Sequence, residues 1–328
     1  IGMLKKKNGP KTSIYVPYRE KQVYDKIRKQ NKGPLKDESL RAIYREIMSG
    51  ALSLEHPLKI AYLGPKFTFT HLAAVKKFGS SITYLESPNI ADVFSAVSNG
   101  SADYGVIPVE NSTEGAVNHA LDRLIESELK IYSEVYLKIS HNVLSRSKSM
   151  ASIKKLYSKD QVFAQCRKWI ELNMPRAELV EVSSTTRAAQ IAHSKSGTAA
   201  IASLLAADEY GLKILARSIE DFKNNTTRFL VIGREVDMKS TGNDKTSIIV
   251  SLKDKVGALH DMLTIFKRKN INLTKIESRP SKIKVWQYYF FIDMEGHSKD
   301  SSVAQALRQL EKKCSLFKIL GSYTRHDL

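Results

Sequence analysis

Four short stretches of the sequence gather hydroxyl and amide side chains where strands and helices are predicted to meet. They are Gly64-Pro65-Lys66-Phe67-Thr68-Phe69-Thr70, Glu110-Asn111-Ser112-Thr113, Glu181-Val182-Ser183-Ser184-Thr185-Thr186 and Asn224-Asn225-Thr226-Thr227-Arg228-Phe229. Such side chains donate hydrogen bonds without titrating, which suits them to holding carboxylates and hydroxyls. Arg228 sets a permanent, fork-shaped cation beside the Thr227 hydroxyl. Taken singly, each stretch is more commonly a helix cap or a turn. Four of them in one region could line a cleft for a polar anion that carries hydroxyl groups. What is missing narrows the chemistry further. The sequence contains no Walker loop, GxGxxG, HExxH pair or evident nucleophile–base pair. Any reaction here must be one that hydrogen bonds and a cation can promote unaided, with no metal and no cofactor.

The elements that would position these residues read as α/β. The segment Asp103-Tyr104-Gly105-Val106-Ile107 is an apolar strand that Pro108 is expected to stop. After Gly115, the run Ala116-Val117-Asn118-His119-Ala120-Leu121 reads as a helix whose positive N-terminal end faces the same crevice. Open α/β sheets place ligands at this end of their strands. From Leu58 to about Glu235, strands and helices alternate without an internal repeat, a length that suits two lobes flanking a cleft. The longest apolar run, Ala199–Ala207, is broken by Ser203; it is too short to span a membrane and fits a buried helix.

Two further regions flank this one. Residues 1–56 are predicted to be helical, with one helix from Pro17 to about Lys32 and a second from Asp37 to Glu55. The second carries Leu40, Ile43, Tyr44, Ile47, Met48, Ala51 and Leu52 on one stripe. That stripe needs a partner, either another helix or another subunit. Asp237–Asp244 reads as a linker. Residues 245–328 then run strand, helix (Gly257–Lys269), strand (Leu273–Ser278), strand (Val285–Met294), helix (Ser301–Lys312), strand (Phe317–Ser322), the βαββαβ order of a ferredoxin-like domain. The predicted organisation is therefore 1–56, 57–236 and 245–328.

The net charge of +18 raises the question of nucleic acid. Its distribution answers it. Residues 1–56 carry 13 Lys/Arg against 6 Asp/Glu and residues 245–328 carry 16 against 8, while 57–244 carry 23 against 20. Neither basic end shows an aromatic-interleaved stripe or a nucleic-acid motif, so no nucleic-acid partner is expected, and no membrane partner. Cys166 and Cys314 lie far apart without metal-ligand spacing. The Lys-rich start lacks the apolar core of a secretory signal, which makes the cytoplasm the expected compartment.

The motifs Tyr62-Leu63-Gly64-Pro65, Val109-Glu110-Asn111-Ser112, Ala164-Gln165-Cys166, Ser184-Thr185 and Asn224-Asn225-Thr226-Thr227-Arg228-Phe229-Leu230-Val231 resemble those of prephenate dehydratases, over about Ile60–Gly233. The resemblance implies two α/β lobes like those of type II periplasmic binding proteins, with the active site between them. It implies conversion of prephenate to phenylpyruvate without a cofactor. Thr227 would assist the departing hydroxyl, and Arg228 would pair with a substrate carboxylate or fix its loop. Asn111, Ser112, Ser184 and Thr185 would donate to the carboxylates, with Gln161 joining them, in a pocket that includes Thr68, Thr70, Glu110 and Phe229. Two positions depart from the pattern. Phe67 stands where Gly is usual, and Leu204 stands where many members carry Glu. These departures keep open a second reading, a non-catalytic amino-acid sensor; a transport-type binding protein is a third.

The tail resembles an ACT domain. Gly257-Ala258-Leu259-His260 and Glu277-Ser278-Arg279-Pro280 match its two phenylalanine-binding motifs, with Asn272 or a nearby carbonyl as partner for the ammonium. This implies L-phenylalanine as allosteric inhibitor, bound between two such domains of a homodimer or homotetramer. Residues 1–56 resemble part of a chorismate mutase, with Lys5, Arg19, Glu20 and Glu55 at that family's site positions. The long first helix with its essential arginines is missing from this segment, so mutase activity is not expected.

Overall fold

The computed structural model describes residues 17–234, 239–281 and 287–325. The first lobe is built on β1 (Lys59–Leu63), β2 (Thr83–Ser87), β3 (Tyr104–Asn111), the short β4 (Gly115–Ala116) and β5 (Lys130–Lys138). Strand β1 runs parallel to both β2 and β3, and Ile60, Ala61 and Tyr62 at its centre are wholly buried. Burial on both faces is why this strand reads as an unbroken apolar run. The chain then crosses to a second lobe, β6 (Asn142–Ser145), β7 (Lys155–Ser158), β8 (Glu178–Glu181), β9 (Thr198–Ala202) and β10 (Lys213–Ala216), in the order β10-β6-β9-β7-β8. It returns as β11 (Thr226–Gly233), antiparallel between β3 and β5 of the first sheet. The two crossings run side by side: Ile139 N–H donates to Asn225 O at 2.8 Å and Ile219 N–H to His141 O at 2.9 Å. This is the two-lobed arrangement expected of a type II binding-protein-like region.

Strands β12 (Asp244–Leu252), β13 (Leu273–Pro280), β14 (Tyr288–Glu295) and β15 (Cys314–Thr324) form a separate antiparallel sheet, β13-β14-β12-β15. Helices Ala258–Arg268 and Ser301–Glu311 cover one face through Met262, Phe266, Val303, Leu307 and Leu310. This is the ferredoxin-like ACT fold; part of the expected Val285–Met294 strand lies outside the described residues. Its other face packs on the first lobe. A single apolar core joins Ile107, Leu129 and Ile131 to Ile249, Phe291, Leu320 and Tyr323.

Three expectations are corrected. Pro108 does not stop β3, which continues to Asn111. On β11, Arg228 pairs with Glu110 and the next residue, Phe229, with Pro108, so Val109 is left unpaired as a bulge at the residue beside the missing N–H. The helix after Gly115 begins at Asn118 rather than Ala116, because Gly115 and Ala116 first turn back to pair with Asn111 and Glu110. Ala199–Ala207 is not one helix. Residues 198–202 form the central strand of the second sheet, and Ser203 precedes a short helix, Leu204–Glu209. Small side chains suit a strand covered on both sides as well as they suit a helix.

Helices Pro17–Gln30 and Asp37–Glu55 form a hairpin against the first lobe. Asp37–Glu55 is anchored through Leu52, which packs on the lobe's core, and through Glu46, which accepts from Ser80 N–H at 2.8 Å. Ile43, Ile47 and Leu54 of this helix remain exposed.

Candidate active site

Between the lobes lies a cleft of about 730 Å³. Asn111, Thr227, Ser184, Thr185, Gln161, Thr68, Thr70 and Phe229 all line it, so the structure brings together eight of the residues singled out by sequence. Paired strands place the central two. Thr227 on β11 lies directly opposite Asn111 on β3. The Asn111 amide donates to Thr227 Oγ1 at 2.8 Å and to Asn225 Oδ1 at 2.7 Å, while its own oxygen accepts from Thr113 N–H at 3.0 Å and from the Thr113 hydroxyl at 2.6 Å. With Thr227 Oγ1 accepting from Asn111, the hydroxyl proton is left to point elsewhere.

Helix starts supply the rest. Thr68 caps Phe69–Phe78, accepting from His71 N–H at 3.4 Å and donating to Pro65 O at 2.9 Å. Ser184 caps Thr185–Ser194, accepting from Arg187 N–H at 3.0 Å. The positive ends of these two helices therefore converge on the cleft from opposite lobes, where they favour an anion.

Sequence reasoning missed several lining residues: Glu86, Glu114, His141, Lys159 and Gln165. Glu114, in the first lobe, accepts from the side-chain amides of both Gln161 and Gln165 in the second, and so ties the lobes together across the cleft. Because Gln165 uses its amide this way, its oxygen accepts from His141 Nε2–H at 2.7 Å. His141 Nδ1 is then buried without a partner. Burial holds the His141 pKa below its ordinary value, against the raising influence of Gln165, Glu220 and Glu114. Gln165 stood inside a recognised motif; the others are single residues on separate elements, with no spacing to mark them. Lys159 is the one Lys or Arg among the described residues that line the cleft.

Three expected residues face elsewhere. Ser112 Oγ accepts from Thr226 N–H at 2.9 Å and donates to Asn224 O at 3.1 Å, so it buttresses the loop instead of lining the cleft. Glu110 is a correction of a larger kind. Of the two roles open to Arg228, it is the pairing with a substrate carboxylate that is corrected, since its contacts fix local structure instead. Adjacent residues of a strand point to opposite faces, and with Thr227 in the cleft Arg228 turns away from it. Its Nε donates to Glu134 at 2.9 Å, its Nη1 to Asp293 at 2.6 Å and its Nη2 to the Tyr323 hydroxyl at 2.9 Å. Burial opposes the Arg228 charge, but Tyr323, Asp293 and Glu134 outweigh it and hold its pKa well above the ordinary value. Glu110 turns the same way and pairs with Lys275 at 2.8 Å.

Phe67 and Leu204 lie outside the cleft lining. Phe67 has φ 66°, a left-handed backbone that Gly adopts without strain and Phe does not. Its ring packs edge-on to Tyr210 of the second lobe, and its carbonyl accepts from Ser203 Oγ at 3.0 Å. The substituted turn thus forms a second tie between lobes. Leu204 is the first residue of its helix and is 39% exposed.

In the tail, Gly257 has φ 78° at the start of helix Ala258–Arg268, and Leu259 is exposed there. Glu277 and Ser278 lie on β13 at the edge of the sheet, and Asn272 precedes that strand, its carbonyl accepting from Glu295 N–H. Of the mutase-like positions, Lys5 lies outside the described residues, Arg19 is exposed, Glu20 pairs with Lys77 at 2.9 Å, and Glu55 is half-buried at the end of its helix. Among the described residues no cluster of His, Cys, Asp and Glu could hold a metal, and no helix is long and apolar enough to cross a membrane.

Residues 60–237 match the family model for prephenate dehydratase, 246–312 that for the ACT domain, and 1–56 that for chorismate mutase type II. A bifunctional chorismate mutase/prephenate dehydratase of Aquifex aeolicus is 48% identical over 330 residues, covering 99% of this chain and 90% of that one. The protein of the same description from Pseudomonas aeruginosa is 46% identical over 313 residues, covering 95% and 86%. A solved prephenate dehydratase from Arthrobacter aurescens, in complex with L-Phe, superposes with a TM-score of 0.76 at 34% identity, over 82% of this chain and 90% of that one. The chain belongs to the prephenate dehydratase family.

Proposed function

We infer that this chain converts prephenate to phenylpyruvate, water and carbon dioxide, and that L-phenylalanine inhibits it. The observation that carries the reading is the Thr227 hydroxyl, held by Asn111 at 2.8 Å in a cleft where two helix starts meet. Prephenate is a dianion whose ring hydroxyl and ring carboxylate sit on opposite carbons of a cyclohexadiene. As the C–O bond breaks, the electron pair of the bond to the carboxylate moves into the ring, which becomes aromatic; carbon dioxide leaves, and one proton is taken up to release the hydroxyl as water. Aromatisation supplies the driving force. The protein must hold two carboxylates and help the oxygen depart. Thr227 donates to that oxygen, and Asn111 stabilises the charge that grows on Oγ1 as its proton shifts. The helix starts at Thr68 and Ser184, with Lys159, hold the carboxylates in place of the cation expected at Arg228. Glu114, Gln161 and Gln165 keep the lobes closed around the ring.

The exposed start of helix Ala258–Arg268 and the edge strand β13 suit a phenylalanine site completed by a second copy, so the working form is a homodimer or homotetramer. Residues 1–56, 57–236 and 245–328 act as mutase-like, catalytic and regulatory units. Chorismate rearrangement is not expected from residues 1–56, which lack the arginine-bearing first helix, although the relatives at 46–48% identity are described as bifunctional with chorismate mutase. The reaction takes place in the cytoplasm. The relatives at 46–48% identity carry an enzyme's description, which speaks against a sensor without turnover.

Incubation with prephenate, followed by phenylpyruvate absorbance in alkali, tests the reading. Product that accumulates with enzyme and falls with added phenylalanine is expected; binding of prephenate without product would leave only the sensor. Loss of chorismate absorbance with the same protein would overturn the statement on the mutase.

A further inference from the structure

The backs of the two cleft residues meet the regulatory domain. Thr227 pairs with Asn111 across β11 and β3, and the next pair along the same strands is Arg228 with Glu110. The first pair faces the cleft and the second faces the ACT sheet. Arg228 reaches Glu134 on β5, Asp293 on β14 and Tyr323 on β15, with Glu110 at 3.7 Å. Glu110 reaches Lys275 on β13, the strand that also carries Glu277 and Ser278. Around them, Lys245 pairs with Glu134 at 2.8 Å, and Ser247 donates to Asp293 at 2.5 Å and shares a hydrogen bond with Tyr323 at 2.7 Å. Arg228, Glu134, Asp293, Lys245 and Tyr323 are each less than 8% exposed. The three cations and three carboxylates balance.

A buried cluster of this kind is a poor source of stability, because the cost of removing each charge from water offsets most of the attraction. It does fix geometry, since any shift of one member leaves another unpaired. Here, all four strands of the ACT sheet contribute members, and the catalytic lobe contributes the two residues adjacent to its hydrogen-bonded pair.

We propose that Arg228 and Glu110 are positioning residues: through them the regulatory sheet sets the distance between Asn111 and Thr227, so a ligand that shifts β13 alters turnover at the cleft. This rests on the function inferred above. It places the coupling in an identified pair of contacts, Lys275–Glu110 and Asp293–Arg228, instead of in the domain interface at large.

Lys275→Met removes a cation at the edge of the cluster and keeps the length of the side chain; Asp293→Asn removes a buried charge and keeps the shape. Each is assayed in the full chain beside the wild type, with thermal melting as the measure of folding. For Lys275→Met the expected result is a melting temperature close to wild type, KM within about twofold, kcat lowered about tenfold, and about tenfold more phenylalanine needed for half-inhibition. Lys275→Arg should restore both. Asp293→Asn should move kcat and the phenylalanine response further in the same direction. Lys275→Met and Asp293→Asn proteins that melt lower yet keep wild-type kcat and phenylalanine response would overturn the proposal and leave the cluster as structure alone. A wild type that makes no phenylpyruvate would remove the function as well, and is thereby told apart from failure of the coupling.

Discussion

The Asn111 amide stands 2.8 Å from Thr227 Oγ1, as the donor. The direction of this bond matters more than its length. A Thr hydroxyl that accepts from one side can donate from the other, so the pair leaves its single proton aimed at the space between the lobes. Thr227→Val removes the proton at nearly constant volume and should lower kcat about 10²–10³-fold with little change in KM. Thr227→Ser should keep activity within about tenfold, having the same donor with more rotational freedom. Asn111→Asp exchanges the donor for an acceptor, turns the Thr227 proton inward and should cost kcat about 10²-fold. Steady-state kinetics at saturating prephenate checks all three; a Thr227→Val enzyme with near-normal kcat would refute the assignment.

Gly64 follows β1 and lines the cleft, and a Cβ there would stand 2.1 Å from Glu86 Cγ and 2.8 Å from Cδ. Glu86 also accepts from Lys66 N–H at 3.2 Å, which holds the turn leading into the Thr68 cap. Gly64→Ala should therefore displace the Glu86 side chain and destabilise the fold by about 1–3 kcal/mol. Glu86→Ala in the same chain should recover most of that loss, because the two changes share one contact. Chemical denaturation of the four proteins of this cycle gives the answer. Additive effects would show that the backbone absorbs the clash.

Asn111, Thr227, Ser184 and Thr185 could be read from the sequence because each sits in a run of short polar residues at the end of an element, and such runs face crevices. The direction of Arg228 was open to the same reasoning, since a residue next to Thr227 on a strand must face the other way. Its charge drew attention to the substrate, when its partners, Glu134, Asp293 and Tyr323, lie 65–95 residues away in sequence. His141 and Lys159 were illegible for a related reason: each belongs to a different element, and only the closed pair of lobes brings them together with Glu114, which directly follows the Glu110–Thr113 run. The bulge at Val109 hid a further fact. It sets Pro108 and Asn111 on the same side, where simple alternation would separate them.

Burial of His141 predicts a pH effect on stability. Its pKa is lowered in the folded protein, so the unfolded chain binds the proton more readily. The stability associated with the neutral ring is fully present above the unfolded value of about 6.5 and is lost as pH falls through the lower folded value. His141→Gln cannot take up that proton. The gap in melting temperature between wild type and His141→Gln should therefore shift in the variant's favour below about pH 6 and stay constant above pH 7. Melting curves from pH 5 to 8 measure it; a gap independent of pH would show that the ring titrates normally in the fold.

At Gly321 the regulatory sheet lies directly against the backbone of the catalytic sheet. A Cβ there would lie 2.3 Å from Ile131 O and 3.1 Å from Ile131 N, so it would meet the backbone of β5 and not a side chain able to turn aside. Just before it on β15, Ile319 O accepts from Lys130 Nζ at 3.0 Å, and Lys318 Nζ donates to the carbonyls of Ile125 and Ser127. Relief must come from parting the two sheets, which also loosens the core shared by Ile131, Leu320 and Tyr323. Gly321→Ala should destabilise by about 1–3 kcal/mol or more, visible as a melting temperature several degrees lower. Since Tyr323 and Asp293 recede with the ACT sheet, Arg228 loses two partners and kcat should fall as well. If melting drops while kcat at low temperature is unchanged, close contact between the sheets matters for stability but not for the geometry of Thr227.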